Sequence, residues 1–274
     1  MVYTFELIKH ANINYRDSLC LLARFELSAM LRSLSVFTEI REESIGGASF
    51  LTFESRELSE SELSFLSGHS AVVFMAEKQN GLLRPLSVAS TAYFPEDLPE
   101  VLKYKGKTSG IFTRMMINVA VSLSSFDPET EPLLLFDPLC GKGTTCFCAL
   151  VAGMNAVGLD NNRKEIKEAS DYFSRYLKYH KWKHTVSDHS ETYGKDTIPF
   201  TEFAFANTKE HFHQGDLHHL TLACADSSLS LALFRHRSAH IVVADFPYGV
   251  QHAASAGSRY ESLQLFLHRI LPVI

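Results

Sequence analysis

The apolar positions of the chain follow two different rhythms. Residues 2–8, 36–40, 49–53 and 71–75 form short strand-like runs broken by polar segments. Between the first two, Leu19, Leu22, Ala23, Leu27, Met30, Leu31 and Leu34 recur at helical spacing, which predicts an amphipathic helix over residues 15–34. These elements predict a small α+β module. Residues 92–106 carry Pro95, Pro99, Lys103 and Lys105, with Lys107 just beyond, and read as a connector that divides the chain into modules 1–106 and 107–274.

From residue 108 the rhythm changes. Thr108 or Ser109 can cap a helix whose apolar stripe is Ile111, Phe112, Met115, Met116, Val119, Ala120 and Leu123. Four apolar runs follow at 133–136, 156–159, 220–225 and 241–244, without the polar alternation of half-exposed strands, as expected for strands covered on both faces. Helical segments at 144–151, 162–179 and 227–237 supply the crossovers. The predicted fold class is therefore α/β, a doubly wound β-α-β-α-β arrangement with a parallel sheet. Residues 180–219 are too long for an ordinary connection; their halves, 183–192 and 198–205, flank Tyr193-Gly194-Lys195-Asp196 as a hairpin would, and predict an insertion.

Composition narrows the function classes. With 274 residues, 46% of them hydrophobic, and 20 Phe, the chain can bury a sizeable core and is not low-complexity disorder. A net charge of −5 excludes a global cationic field, so any nucleic-acid contact must be local. No stretch approaches about 18 consecutive apolar residues and no signal peptide opens the chain, so a cytoplasmic protein with no membrane partner is expected. Five cysteines without a C-x-x-C fit reduced thiols rather than disulfides or a zinc ribbon. His211-Phe-His213 and His218-His219, near His180, His184 and His189, lack a carboxylate partner at metal-site spacing and read as a solvated insertion, not a metal site.

The chemistry concentrates where strands end. Leu133-Leu-Leu-Phe-Asp-Pro-Leu-Cys-Gly-Lys-Gly-Thr-Thr145 runs from an apolar strand through Asp137 into a turn with Gly141 and Gly143. Cys146 stands where a dinucleotide-binding G-x-G-x-x-G needs its last glycine, and Phe136 where a P-loop needs its first. The segment resembles instead the D-x-x-x-G-x-G turn of S-adenosylmethionine enzymes, which implies an acid facing the ligand's ammonium side and glycines making room for the adenosyl group. Asp160, ending the next strand, can accept hydrogen bonds from both ribose hydroxyls. Asp226, ending the third, can accept from the adenine amino group. The candidate cofactor-binding residues are thus Asp137, Pro138, Gly141, Gly143, Asp160, Asn161, Asp226 and Ser227. Cys140 lacks a neighbouring base to activate it as a nucleophile.

The fourth strand leads into Asp245-Phe-Pro-Tyr-Gly249, which resembles the (D/N)-P-P-(Y/F/W) motif of methyltransferases that act on planar amino nitrogens. An exocyclic amine conjugated with a base is a poor nucleophile. Asp245 and the carbonyl of Phe246 or Pro247 would accept its N–H bonds, and Tyr248 would stack on the base, making Asp245, Pro247 and Tyr248 the candidate catalytic residues. Through Asp137-Pro-Leu-Cys-Gly-Lys-Gly143, Asp160 and Asp245-Phe-Pro-Tyr-Gly249, the chain resembles the RNA methylase family related to THUMP-associated tRNA guanine-N2 methyltransferases. The resemblance extends to the lead-in Lys103-Tyr-Lys-Gly-Lys-Thr-Ser109. It implies a Rossmann-like class I methyltransferase sheet, a ferredoxin-like N-terminal module, S-adenosylmethionine as cofactor and methylation of an exocyclic amine of RNA, tRNA guanine N2 in that family. Phe246 stands where the motif has its first proline. DNA bases, a glutamine side chain and a non-catalytic cofactor- or RNA-binding scaffold remain alternatives. A class I sheet continues for three more strands after the fourth, so a truncated chain is expected, or a partner covering the edge at 241–244.

Overall fold

The computed structural model describes residues 1–9, 16–88, 90–104, 106–126, 132–234, 238–246, 267–268 and 271–273. These divide into two compact units, residues 1–92 with 111–125, and residues 93–110 with 126–274.

In the first unit, β1 (Val2–Leu7) is the middle strand of a five-stranded antiparallel sheet. On one side lie β3 (Ala48–Glu54) and then β2 (Ile40–Ile45); on the other lie β4 (Val72–Gln79) and then β5 (Leu82–Pro85). Both hairpin turns place two residues at positive φ, Gly46 and Gly47 (59° and 84°) and Asn80 and Gly81 (50° and 78°), the twist that two-residue hairpins favour. Helix α1 (Arg16–Ser33) sets Ala23, Leu27, Met30 and Leu31 against Tyr3, Phe5, Leu51, Phe53 and Met75. Helix α2 (Glu60–Ser67) starts from a reciprocal capping box between Ser59 and Glu62.

The strand expected at 36–40 is corrected by the end of α1. Ser35 is left-handed (φ 58°), its N–H donates to the Arg32 carbonyl and that of Val36 to the Leu31 carbonyl, so Val36 is buried as part of the helix stop. The strand begins only at Ile40.

Helix α4 (Gly110–Leu123) also departs from the expected division at 106/107, since from Ile111 onward it belongs to the first unit. Its tie is polar. Asn118 Nδ2 donates to Glu26 Oε1 (2.6 Å) and to the Gly68 carbonyl (2.9 Å). Glu26 is fully buried and also accepts from the Ser70 N–H (2.7 Å) and hydroxyl (2.5 Å), with His69 Nε2 at 3.5 Å.

The second unit holds a mixed six-stranded sheet. Strands β6 (Leu134–Asp137), β7 (Asn155–Asp160), β10 (His218–Cys224) and β11 (Ile241–Val242) are parallel to their neighbours in the order β11-β6-β7-β10. The chain thus winds outward from β6 to β10 and then returns to the other side of β6. The stretch read as an insertion joins this sheet: β9 (Asp196–Ala206) pairs antiparallel with β10, and β8 (Lys183–Tyr193) with β9, ahead of the short α7 (Lys209–Gln214). Helix α5 (Thr144–Val151) is wholly buried. Helix α6 (Arg163–Tyr179) buries Ile166, Ala169, Tyr172, Phe173, Tyr176 and Leu177, with Phe173 edge-on to Phe203 and Phe205. After β10 a 3-10 turn (Ser227–Leu229) leads into α8 (Ser230–Leu233), shorter than the helix expected at 227–237, whose residues 235–237 lie outside the described ones.

Of the connector expected at 92–106, the described residues from Tyr93 onward belong to this unit. They carry α3 (Leu98–Val101); Tyr172 donates its hydroxyl to the Leu98 carbonyl (2.5 Å), Tyr176 to Asp97 (2.7 Å), and Phe94 stacks on Trp182 with centroids 4.0 Å apart. Among the described residues no helix is long and apolar enough to cross a membrane, and the five cysteines form no disulfide.

Removing the Glu26 carboxylate leaves three buried donors without their acceptor, each costing about 1–3 kcal/mol. Glu26→Ala is expected to lower unfolding stability by roughly 3 kcal/mol or more in urea denaturation, and a loss below about 1 kcal/mol would show that the network contributes little.

Candidate active site at the carboxyl ends of the parallel strands

The turn after β6 is held from below by a missing side chain. A Cβ at Gly158, in the middle of β7, would lie 2.8 Å from the sulfurs of both Cys140 and Cys146, so only glycine lets the turn and the start of α5 settle onto the strand. The Cys140 N–H donates to the Leu159 carbonyl (3.0 Å) and that of Gly143 to the Cys140 carbonyl (2.7 Å). Gly143, at φ 84°, caps α5 in the left-handed region that side chains rarely adopt. The hydrogen-bonding contact with Cys146, then burial, hold the Cys140 thiol well above the usual range, an inert packing group rather than a nucleophile.

Three of the four predicted acids come together here. Asp137 is buried at the end of β6, where its Oδ1 accepts from the Leu139 N–H (2.9 Å) and its carboxylate from the Thr145 hydroxyl. Asp160, at the end of β7, accepts from the Gly141 N–H on Oδ2 (3.0 Å) and from the Asn162 N–H on Oδ1 (2.8 Å). Asp245 follows β11, and its Oδ2 accepts from the Thr108 hydroxyl (2.6 Å). Burial pushes the Asp137 carboxyl up to about 7; its two hydrogen bonds oppose the rise, and the charges of Asp160 and Asp245 add to it.

The fourth acid, Asp226, sits after β10, exposed, with Oδ1 accepting from the Ser228 N–H (2.9 Å). The Ala225 N–H donates to the Asp160 carbonyl (3.1 Å), which ties the ends of β10 and β7 together. Pro138 is buried beside Asp137, Asn161 is exposed beside Asp160, and Ser227 opens the 3-10 turn. Pro247 and Tyr248 lie outside the described residues.

Five residues not singled out for the site also build it. Lys142, between the two glycines, pairs with Glu168 (2.6 Å) and lies 4.7 Å over the Tyr104 ring. The Tyr104 hydroxyl hydrogen-bonds Thr144 Oγ1 (2.9 Å), and Thr108 reaches Asp245 instead of serving only the helix after it. The segment from Tyr104 to Thr108 therefore touches both sides of the site. Its Tyr-x-Gly-x-Thr spacing was visible in the sequence as part of the lead-in, but its partners are not. Among the described residues no three His, Cys, Asp or Glu side chains are grouped as metal ligands would be.

The arrangement is a cluster of carboxylates beside a glycine turn, at the point where the strand order reverses, the usual place for a ligand in an open α/β sheet. Its chemistry suits a ligand with hydroxyls and positive charge. Compared with models of known protein families and with curated proteins, the chain matches none.

Two measurements test this geometry. Asp137 keeps its proton in the folded chain up to about 7 but releases it near the ordinary aspartate value of 3.8 when unfolded, so folding binds a proton between those values and stability falls as pH rises through that window. Asp137→Asn, which mimics the protonated acid, is expected to flatten that slope and to be more stable than the parent at pH 8, by roughly 2–4 kcal/mol; parallel stability curves would contradict it. Gly158→Ala is expected to cost roughly 1–3 kcal/mol in the same assay, because neither sulfur can retreat in a filled core.

Proposed function

We propose that the chain is an S-adenosylmethionine-dependent N-methyltransferase acting on an exocyclic amine of RNA, tRNA guanine N2 being the leading target, on a Rossmann-like class I sheet. The observation that carries the reading is the convergence of Asp137, Asp160 and Asp245 beside a glycine turn at adjacent strand ends. The residues fit the cofactor. Gly141 and Gly143 both stand at positive φ, 52° and 84°, and a Cβ at either would press to 3.2 Å from the side chain of Glu165 or Phe147, so only glycine keeps the turn in the form that the cofactor reading needs. Both Asp160 oxygens keep a second lone pair for ribose hydroxyls. The acids supply the negative potential a cationic ligand needs.

When bound, S-adenosylmethionine supplies a methyl group on positively charged sulfur. Asp137 then faces a cation, which favours its ionised form over the proton it carries near neutrality. Asp226 and Ser227, with Pro138 and Asn161, would hold the adenosyl side. Thr108 donates to Asp245 Oδ2, and that oxygen keeps a second lone pair that could accept an N–H bond. Accepting that bond raises the electron density of a conjugated nitrogen; Pro247 and Tyr248, which lie outside the described residues, are assigned to the amine by the motif alone. The reading places the reaction in the cytoplasm, where the thiols stay reduced.

Transfer of labelled methyl to unmodified tRNA, DNA and protein pools tests the reaction. Label is expected in RNA and lost by at least 100-fold in Asp245→Ala; label in DNA or protein would reassign the substrate, and none in any pool would leave a binding scaffold. In calorimetry, Asp160→Ala is expected to weaken cofactor binding roughly 10- to 100-fold, from charge-assisted bonds of about 1.5–3 kcal/mol. Binding to the parent is expected to tighten as pH rises toward and through about 7, as Asp137 ionises, and to lose that dependence in Asp137→Asn.

A further inference from the structure

Helix α6 carries a second pattern that the site does not use. Opposite its buried face, Arg163, Lys164, Lys167, Arg175 and Lys178 are all exposed, and at helical pitch they fall within an arc of about 120°. Asp171 is the one acid inside that arc. Glu168, at its margin, is engaged by Lys142 at 2.6 Å, with Lys164 at 3.9 Å. The stripe runs the length of the helix, about 25 Å. Beyond it the chain turns through Lys181, left-handed at φ 57°, and presents Lys181 and Lys183, both exposed, near Tyr179, a residue 82% exposed. Seven cations against one acid stand out on a chain of net charge −5.

We infer that this face of α6 is a track for the sugar-phosphate backbone of RNA. The stripe starts beside Asn162, the residue after the adenosyl-side Asn161, and leads away from the acid cluster. Its length matches several phosphates, and Tyr179 at its far end offers a ring on which an unpaired base can stack. An acidic protein would also answer the charge, but a line of cations one helix long, interrupted only at Asp171, fits a linear polyanion better than a folded surface. The inference deepens the RNA reading and rests on it for the substrate class, while its own test reads binding alone.

The experiment measures binding of a bulk tRNA pool to the full chain across a salt series, with phosphatidylserine vesicles and an acidic polypeptide as competing probes. A triple variant, Lys167→Glu, Arg175→Glu and Lys178→Glu, is expected to weaken tRNA binding at least 10-fold and to reduce the log–log salt slope by about 2, at about 0.7 per lost phosphate contact on a single strand. Asp171→Lys is expected to tighten tRNA binding about threefold, a gain that misfolding cannot produce. Unchanged tRNA affinity in both variants, or tighter binding of the parent to vesicles or acidic polypeptide than to tRNA, would overturn the inference. Methyl transfer to RNA with an indifferent stripe would leave the enzyme reading and remove the track; a stripe-dependent tRNA affinity without any transfer would do the reverse.

Discussion

The carboxylate of Asp160 is the constraint on which the candidate site depends. It joins two backbone amides that are far apart in sequence, the Gly141 N–H in the turn after β6 and the Asn162 N–H at the start of α6. The first bond requires Gly141 at φ 52°, and the turn can approach only because Gly158 leaves room for two sulfurs beneath it. A carboxylate bound by two amides is fixed in orientation, and Asp160 is only partly exposed. Everything else in the site is placed relative to that point: Asp137 below, the α5 cap to one side, the end of β10 to the other through Ala225.

The same closeness that orders the carboxylates sets them against one another. Asp137 responds by holding a proton up to about 7, so the unliganded site avoids a third full charge at the cost of a partly protonated acid near neutrality. A site of this kind is poised for a cation, which relieves repulsion instead of merely adding an attraction. The segment Tyr104 to Thr108 steadies both margins, with one hydroxyl on Thr144 and another on Asp245, and Lys142 is drawn away from the acids by Glu168 and the Tyr104 ring. Without that clamp a free ammonium beside Asp137 and Asp160 would neutralise the potential the site provides.

The sequence revealed the parallel strands well because burial on both faces writes itself as unbroken apolar runs, and α5 was bounded at 144 and 151 by glycines at 143 and 153. Polar elements were less visible. β2 reads Ile-Arg-Glu-Glu-Ser-Ile, with too few apolar positions to alternate, while Val36 drew the expected strand toward a residue that belongs to a helix stop. α2 spans only eight residues, yet its Ser59 to Glu62 capping box was there to be found, as was Asn80-Gly81 ahead of β5. The acids at strand ends were legible from motif and spacing. Their companions were not, since Thr108 and Asp245 lie 137 residues apart and Asn118 and Glu26 lie 92, and no local pattern announces such a pair.

On the proposed reading, the acid cluster creates a problem for an RNA substrate that the rest of the unit must solve. Phosphates within a Debye length of about 8 Å are repelled by the carboxylates that attract the cofactor. A base can therefore enter beside Asp245 only if its own backbone is held elsewhere, by cations that do not neutralise the site. α6 meets both requirements with opposite faces: its buried aromatic face fixes it on the sheet, and its basic face points to solvent, displaced from the acids along the helix axis. Because the amide that begins this helix also binds Asp160, the element that would carry the phosphates is covalently registered to the carboxylate that would hold the cofactor.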